Sequence, residues 1–418
     1  MSHRFRLLPS RSSAAALTAF LVLAGVAGPA PGQDAKPKWT PPSAIELKAL
    51  IPAKPSEAAA LIRKSWGDKA FASGTARALE KTTLLVAVAS DEPVSLVRTN
   101  GGEEKLGDLV RLDDKGLHAL AVTLPNCQLL DYELRAASGK KLGGGNLKVE
   151  SYDHTADSLP KEGVPKGTLH RHEWNDSKIF PDTRREYAVY VPAQYDGSKP
   201  AALMVFQDGL RHADPSGPLR ATTVFDNLIA SGEMPVTIGL FINPGAAAGQ
   251  KPGEKPRNRG FEYDSLGDLY VRFLLEEIIP QIVADHGLQL SDDPAMRAIA
   301  GGSSGCACAW TAAWERPDQF GKVLGWVGTF VDIRGANAYP SLIRKTERKP
   351  IRAALLDGTN DLDNQFGNWP LANRQMETAL AFQDYDFRYW WGECFHGSAH
   401  AGAMLPEMLK WLWRDWNG

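Results

Sequence analysis

A Gly-x-Ser-x-Gly pentapeptide at residues 301–305 lies between an apolar run and a stretch of small residues. That order predicts a strand, a sharp turn and a helix, the context in which this pentapeptide holds a nucleophilic serine. The turn places the serine in a strained conformation, and Gly301 and Gly305 leave room for it because they lack Cβ atoms. The alternative is a glycine-rich turn with two capping serines. Since only Ser303 has glycine two positions before and two after it, we predict that Ser303 is the nucleophile.

A serine hydroxyl needs a base within hydrogen-bond reach, and the base needs an acid that orients it. When the serine lies on a strand-to-helix turn of this kind, the acid and the histidine follow it in that order. Two later loops supply candidates, and each follows a predicted strand, at 351–356 and at 387–391. The sequence therefore predicts acyl transfer by a serine, an acid and a histidine.

Three aspartates compete for the role of the acid in the first of these loops. Asp357 comes at the end of the strand, where we expect it to bind the turn made by Gly358. Asp363 is expected to cap the following turn. Asp361 lies within the loop, where it can reach across to a histidine, and we predict that it is the acid.

Two histidines compete for the role of the base in the second loop. His396 directly follows the strand and precedes Gly397, so we predict that it is the base. His400 lies at the start of the terminal helix, where capping or packing would explain it.

The tetrahedral intermediate of acyl transfer needs backbone N–H groups directed at its negative charge. One is predicted to come from Ser304, next to the nucleophile. The other is predicted to come from Gly209, which follows the buried strand 201–206 and permits a tight turn. Its neighbour Asp208 is interpreted as a turn residue. Loops over the carboxyl ends of strands commonly shape the substrate pocket, and the candidates here are Arg257, Arg259, Glu262, Tyr263, Trp369 and Pro370. Surface solvation or loop packing is the alternative for each of them.

Metal ligands and cofactors are not predicted for this chain. His170 and His172 flank Arg171 and precede Glu173, a spacing that places both imidazoles on one face of a strand. No third and fourth ligand follows with a recognisable spacing, so a strand-face pair is the better interpretation.

The chain has 418 residues, a hydrophobic content of 43% and a formal net charge of −2. Its length predicts two folded units, and its apolar content is ample for a sizeable core. The charges of both signs are interspersed, with no basic stripe, which argues against nucleic acid as a partner. No oligomeric state follows from the sequence.

The first residues have the pattern of a secretory signal peptide, predicted at 1–33. A positive start is followed by a short apolar run at 14–26 and by small residues. The run is too short and too rich in alanine for a convincing membrane anchor, although an uncleaved anchor is the alternative. We therefore expect a secreted or periplasmic protein with no stable membrane insertion after signal cleavage.

The four cysteines are Cys127, Cys306, Cys308 and Cys394. An exported chain can oxidise such thiols. Cys306 lies three residues after Ser303 and Cys394 two residues before His396, so these two thiols meet if the loops meet. A disulfide between them and a pair of small buried thiols are both open at this point.

The pattern of elements divides the remaining chain into three parts. Residues 34–80 are predicted to form a proline-rich linker and short helices. Residues 81–160 contain short β-like runs separated by turn residues, which is typical of a small β-sandwich. Residues 161–418 alternate apolar strands with helices, including a long amphipathic helix at 265–286 and a terminal one at 404–416. This pattern predicts a mostly parallel sheet flanked by helices, with reactive groups at the carboxyl ends of its strands.

From about Gly163 onward the sequence resembles the esterase D and enterochelin-esterase-like branch of the α/β-hydrolases. The matching pieces, in the order of the family, are residues 185–192, 205–209, 301–305 and 357–361 and the His396 loop. The resemblance implies an α/β-hydrolase fold and esterase activity with Ser303, Asp361 and His396 in the catalytic roles. Relatives of enterochelin esterase often carry an N-terminal immunoglobulin-like β-sandwich, which agrees with the pattern at 81–160.

Two departures from that family concern the surroundings of the site. The family usually has glycine after Gly305 and before the histidine loop, where this chain has Cys306, Cys394 and Phe395. These changes narrow the site or cross-link it, so a substrate preference is not carried over. The sequence predicts a serine esterase for a small-molecule or polysaccharide ester, such as a siderophore ester or a feruloyl or acetyl ester.

Two other classes of function stay open at this point. A hydrolase fold with a degenerate site could bind a carbohydrate or a siderophore without cleaving it, since fold does not fix function. A serine peptidase could use the same fold, although no propeller-like repeat domain accompanies this catalytic unit. Labelling with a fluorophosphonate separates an enzyme from a binding protein, and a comparison of amide with ester substrates separates a peptidase from an esterase.

Overall fold

The computed structural model describes residues 42–247, 249–250 and 258–416. The predicted signal peptide at 1–33, the first part of the predicted linker and Arg257 lie outside the described residues. From Pro42 onward the chain forms one compact unit. Among the described residues, no helix is both long enough and apolar enough to cross a membrane.

The α-helices are α1 (Ala44–Ala53), α2 (Pro55–Trp66), α3 (Leu210–Ala213), α4 (Ala221–Ala230), α5 (Arg259–Asp264), α6 (Leu269–Phe273), α7 (Ile279–His286), α8 (Ser304–Glu315), α9 (Tyr339–Lys345), α10 (Trp369–Phe382) and α11 (Ala399–Leu412). The strands of the N-terminal part are β1 (Thr75–Glu80), β2 (Thr83–Ala89), β3 (Val94–Arg98), β4 (Glu104–Arg111), β5 (Leu117–Thr123), β6 (Gln128–Ala136) and β7 (Lys141–Val149). The remaining strands are β8 (Thr168–Trp174), β9 (Thr183–Val191), β10 (Ala202–Gln207), β11 (Thr237–Ile242), β12 (Ala246–Ala247), β13 (Arg297–Gly302), β14 (Lys322–Trp326), β15 (Arg352–Asn360), β16 (Asp363–Asn364), β17 (Gly367–Asn368) and β18 (Asp386–Phe395).

The N-terminal strands form an antiparallel arrangement in the order β1-β2-β5-β4-β3-β6-β7. Alternate side chains of a strand point to opposite sides, and both sides of β2 are buried. Leu84, Val86 and Val88 lie in a core shared with β3 and β6. Leu85 and Ala87 lie in a second core, against α1 and α2. The first of these strands begins at Thr75, before the predicted domain boundary at residue 81. The immunoglobulin-like character of this part stays a prediction.

The second part of the chain forms a nine-stranded sheet in the order β12-β9-β11-β10-β13-β14-β15-β18, with β8 paired to β9. The six strands from β11 to β18 in that order are parallel to one another, whereas β9 is antiparallel to its three partners β8, β11 and β12. Every residue of β10, β11 and β13 is buried, as expected for strands covered on both faces. The mostly parallel sheet predicted for this part is therefore present.

Helices cover both faces of this sheet. One apolar core lies between the sheet and the helices α6 to α10, and a second lies between the opposite face and α4 and α11. The long helix predicted at 265–286 begins at Leu269 instead, because Gly267 has φ +102°, which a helix does not accommodate. The terminal helix begins at Ala399, five residues earlier than predicted, and ends at Leu412.

Candidate active site

Ser303 lies on the turn between β13 and α8, with φ 58° and ψ −126°. A non-glycine residue with positive φ is strained and is often found at a functional site. The two glycines of the pentapeptide are required by close contact. A Cβ at Gly301 would lie 2.4 Å from the carbonyl carbon of Gly305, and one at Gly305 would lie 3.0 Å from Cβ of Gln207. The turn therefore presents the serine at the carboxyl end of β13.

The structure brings Ser303, His396 and Asp361 together. His396 Nε2 lies 2.8 Å from Ser303 Oγ, and His396 Nδ1 lies 2.6 Å from Asp361 Oδ1. In the neutral imidazole one nitrogen donates and the other accepts. The Asp361 carboxylate accepts from Nδ1–H, so Nε2 is free to accept the proton of the serine hydroxyl. This is the geometry in which a histidine acts as a general base toward a serine.

Asp361 is the aspartate that contacts the histidine. Its side chain is fully buried, and Oδ1 also accepts the N–H of Leu362 at 2.6 Å. Asp363 is exposed and pairs with Asn368 in a short hairpin. Asp357 is buried in β15, and among the described residues neither of its carboxylate oxygens has a hydrogen-bond partner, the histidine included. Of the three candidates, Asp361 alone is placed to orient His396.

His400 does not reach the serine. It lies in the first turn of α11 and stacks on Tyr152, with the ring centroids 4.6 Å apart. Burial lowers its pKa. A Cβ at Gly392 would lie 2.5 Å from the His400 ring. His400 is therefore a packing residue at the contact between the N-terminal part and α11.

Thr329 is a site residue that the sequence analysis missed. Its hydroxyl oxygen lies 3.1 Å from Ser303 Oγ, and it accepts the indole N–H of Trp369 at 3.3 Å. Because the Ser303 hydroxyl donates to His396, the Thr329 hydroxyl donates to Ser303. Trp369 also packs edge-on against His396, with the ring centroids 5.8 Å apart. Trp369 is thus a buried support of the triad, not the pocket wall that was predicted.

Replacing Thr329 with valine is expected to lower kcat by about fivefold, the value of one hydrogen bond worth about 1 kcal/mol. The substitution also leaves the Trp369 indole N–H buried without its acceptor, which should lower the free energy of unfolding by about 1–3 kcal/mol. Both are measured by ester hydrolysis and by urea unfolding. The exposed Thr378→Val in α10 is the control. A T329V variant with unchanged kcat would show that this hydroxyl does not act on the serine.

The two predicted oxyanion donors differ in the structure. Ser304 is the first residue of α8, so its N–H lies in the first helical turn, where no carbonyl of the helix can accept it. The N–H of Gly209 donates to the carbonyl of Ile242 at 3.0 Å. The prediction for Gly209 is therefore wrong, because its N–H is already committed to the sheet. Glycine is needed there because a Cβ would lie 2.3 Å from the backbone nitrogen of Ile242.

Asp208, beside this loop, has φ 53° and binds Arg259 through both carboxylate oxygens, at 2.7 Å from Nη2 and 3.0 Å from Nε. Its N–H donates to the hydroxyl of Tyr263 at 3.2 Å. Tyr263 is fully buried, and Glu262 forms a buried ion pair with Arg185 at 2.8 Å. Glu262 and Tyr263 therefore build the scaffold behind the site and do not line a substrate pocket as predicted.

The histidine pair predicted on one strand face is joined by a third histidine. His170 and His172 lie on β8, and His172 Nε2 is 2.9 Å from Nε2 of His286 at the end of α7. Among the described residues, no group of three or more His, Cys, Asp or Glu side chains has the geometry to hold a metal ion. The same part of the chain contains all four cysteines as free thiols, so the disulfide considered between Cys306 and Cys394 is not formed.

The loops that carry His396 and Asp361 form hydrogen bonds to the N-terminal part of the chain. The backbone N–H of Phe395, next to the histidine, donates to Glu150 Oε1 at 3.1 Å. The amide of Asn360, next to the acid, donates to the carbonyl of Cys127 at 3.1 Å. Glu150 directly follows β7 and Cys127 directly precedes β6, and these two strand ends are paired with each other, so one end of this strand pair holds both loops. Sequence reasoning found no part in the site for this half.

A cleft of about 610 Å³ lies away from the triad, at the opposite edge of the sheet. Its lining includes Lys322 and Arg352, which begin β14 and β15, and Trp413. It contains none of the three triad residues. The chemistry predicted at the carboxyl ends of the strands therefore does not extend to this cleft.

The comparison with protein families finds that the esterase family model matches residues 177–361, a segment that contains the serine turn and ends at Asp361. A comparison with curated proteins gives no significant match. Similar solved structures include enterochelin esterase from Shigella flexneri, with 14% identity and a TM-score of 0.55 over 84% of this chain and 97% of that one. Ferric enterobactin esterase from Salmonella typhimurium has 14% identity and a TM-score of 0.53 over 84% of this chain and 98% of that one.

At such identities the structural similarity shows the fold alone, and it shows an α/β-hydrolase-like fold over most of the chain. The family match covers the part in which the nucleophile turn and the acid were located from the sequence. The resemblance to the enterochelin-esterase-like α/β-hydrolases is thereby confirmed, and it rests on the match of residues 177–361 to the esterase family model.

Proposed function

We propose that this protein is a serine carboxylic-ester hydrolase that works through an acyl-enzyme on Ser303. The observation that carries the proposal is the continuous chain of contacts from Asp361 Oδ1 to His396 Nδ1, 2.6 Å, and from His396 Nε2 to Ser303 Oγ, 2.8 Å. Neither contact needs a loop to move. The fold, the family match and the strained serine turn support the same reaction class.

In the first step, His396 Nε2 takes the proton of Ser303 while Oγ attacks the ester carbonyl carbon. Asp361 stabilises the imidazolium that forms. The oxyanion of the tetrahedral intermediate would accept the free N–H of Ser304, a type of interaction worth about 3 kcal/mol. When the intermediate collapses, His396 gives its proton to the leaving alkoxide. The products of this step are the alcohol and the acyl group bound to Ser303.

In the second step, a water molecule takes the place of the alcohol. His396 removes a proton from this water, which attacks the acyl carbon. Collapse of the second intermediate returns the proton to Ser303 Oγ and releases the carboxylic acid. Thr329, which donates to Ser303 Oγ in the resting state, keeps the oxygen in place between the two steps.

The substrate class proposed is an ester of a small molecule or of a polysaccharide. A siderophore ester and a feruloyl or acetyl ester on a polysaccharide are the first members to test. The similarity to proteins described as enterobactin esterases supports placing the siderophore ester in that panel. We also propose that the mature protein is exported, on the basis of the signal-peptide pattern at 1–33.

A fluorophosphonate probe and an ester panel test this proposal. The wild-type protein should be labelled, and peptide mass spectrometry should locate the label at Ser303. His396→Ala should be labelled far more slowly, because the serine then lacks its base. The same preparation should hydrolyse at least one ester of the panel and leave matched amides intact. Absence of label together with ligand binding but no turnover would favour a binding protein, and faster turnover of amides would favour a peptidase.

A further inference from the structure

Asp357 is a buried carboxyl group for which the proposed mechanism has no role. It lies in β15 and has no exposed surface. Neither of its carboxylate oxygens has a hydrogen-bond partner among the described residues, and Oδ2 of Asp361 has none in the same part of the chain. A buried polar atom without a partner costs about 1–3 kcal/mol. Unpaired oxygens on two buried carboxyl groups indicate that a proton links one oxygen of Asp357 to Oδ2 of Asp361.

The chain turns back after β15 and brings the side chain of Asp361 near enough to interact with that of Asp357. The N–H of Asp361 donates to the carbonyl of Gly358 at 3.2 Å, which returns Asp361 to the strand end where Asp357 lies. Two carboxylates this close in a buried place cannot both be ionised. Burial raises the pKa of Asp357 to about 9, and the neighbouring Asp361 carboxylate contributes to that rise.

The negative charge of the pair belongs on Asp361. Its Oδ1 accepts two donors, the N–H of Leu362 at 2.6 Å and Nδ1–H of His396 at 2.6 Å. Donors to a carboxylate favour its ionised form. The proton therefore belongs on Asp357.

The other groups around Asp357 leave this assignment unchanged. Cys306 on α8 and Tyr389 and Cys394 on β18 are near enough for Asp357 to affect them, and burial raises the pKa of all three, so they are neutral at pH 7. The cation that acts on Asp357 is Arg374 of α10. Its charge is shared, because it pairs with Glu377 at 2.8 Å.

We propose that Asp357 is a protonated positioning residue whose hydroxyl donates to Asp361 Oδ2 and fixes the carboxylate that orients His396. The catalytic part of this inference rests on the proposed esterase function, whereas the protonation of Asp357 does not. Asp357 touches neither the serine nor the histidine, so it acts only through Asp361. With Oδ1 bound to His396 and Oδ2 bound to Asp357, both oxygens of the acid are held.

The kinetic test compares Asp357→Asn, which keeps an N–H donor in nearly the same shape, with Asp357→Leu, which has none. D357N is expected to keep kcat close to that of the wild type. D357L is expected to lower kcat by about 10- to 100-fold, the range for a lost hydrogen bond to a charged group, with KM little changed. Asp363→Asn, at an exposed aspartate of the same loop, is the matched control and should change neither. Equal losses in D357N and D357L would overturn the positioning role.

The second test needs no activity, and it separates this inference from the esterase proposal. Above an ordinary carboxyl pKa of about 4 the unfolded chain has lost the Asp357 proton, whereas the folded chain keeps it up to about pH 9. The folded state then binds more protons, so stability falls as pH rises through this window. D357N lacks this term, so its Tm should rise relative to the wild type between pH 4 and pH 8. A Tm difference independent of pH would show that Asp357 is ionised in the fold.

Infrared spectroscopy observes the proton directly. The difference between the wild type and D357N at pH 7 should contain the C=O stretching band of a protonated carboxyl group, and the band should shift in D₂O. D357L supplies the same subtraction if D357N folds poorly. Absence of this band would overturn the inference, even if Ser303 proves to be the nucleophile of an active esterase.

Discussion

Replacing Ser303 with alanine is expected to lower kcat for ester hydrolysis by about 10⁴-fold or more. Without Oγ no acyl-enzyme can form, and His396 Nε2 loses the hydroxyl that lies 2.8 Å away. What remains is the rate that the Ser304 N–H and substrate binding give to direct attack by water. The rate is measured with a p-nitrophenyl ester, at enzyme concentrations high enough to detect the residual activity of the variant.

The fold should survive this substitution. Ser303 already has φ 58°, and alanine at this position meets the same strain from its Cβ as serine does. Circular dichroism and the Tm should therefore match the wild type within the error of the measurement. Ser341→Ala, at an exposed serine in α9, is the control for the loss of a hydroxyl. Turnover by S303A at the rate of the wild type would exclude Ser303 as the nucleophile.

Replacing Asp361 with asparagine is expected to lower kcat by about 10⁴-fold, although the side chain keeps its shape. The carboxylate accepts Nδ1–H of His396 at 2.6 Å, which leaves Nε2 without a proton. An amide can donate to Nδ1 instead, and this moves the proton of the imidazole to Nε2. Nε2, which faces the serine, then has no lone pair with which to take the serine proton.

The measurement for D361N is the same ester assay, with kcat and KM determined separately over a range of pH. KM should change much less than kcat, because Asp361 is buried and acts on the histidine. Asp363→Asn is the control in the same loop and should keep full activity. A small effect in D361N with a large one in D363N would mean that the acid had been misassigned.

The central parts of the site could be predicted from the sequence because their chemistry restricts local sequence. A serine turn needs glycine at two fixed positions, because a Cβ at Gly301 would lie 2.4 Å from the backbone of Gly305 and a Cβ at Gly305 would lie 3.0 Å from Cβ of Gln207. The order serine, acid, histidine after buried strands then limited the candidates to two loops. Loop position in the sequence was enough to prefer Asp361 over Asp363. In the structure, Asp363 lies in an exposed hairpin.

The remaining parts of the site depend on contacts that leave no local pattern. Thr329 meets Ser303 because the loop after β14 folds beside the serine turn, where its N–H donates to the carbonyl of Ser303 at 3.2 Å. Nothing in the sequence around Thr329 distinguishes it from any other loop threonine. The error for Gly209 has a related cause: the need for glycine was real, but it arises from close packing on Ile242 and not from a free N–H.

The fold followed from periodicity in the second half of the chain more fully than in the first. Continuous apolar runs predicted the buried parallel strands, and β10, β11 and β13 are buried at every position. The N-terminal strands are antiparallel, and helices α1 and α2 cover one face of β2. Alternation along such a strand does not show which face meets a helix and which meets another strand.

Glu150 and Cys127 accept hydrogen bonds from the histidine and acid loops, and these bonds have a consequence for how this chain can be divided. A fragment that begins after Glu150 would contain every side chain of the proposed triad and the whole nine-stranded sheet. It would lose the acceptor of the Phe395 N–H and one of the two acceptors of the Asn360 amide, and these residues are the immediate neighbours of the base and the acid. The geometry of the site in the second half of the chain thus depends on hydrogen bonds to the N-terminal strands. Truncation to the nine-stranded sheet and its helices removes these hydrogen bonds together with a part of the chain that contains none of the triad residues.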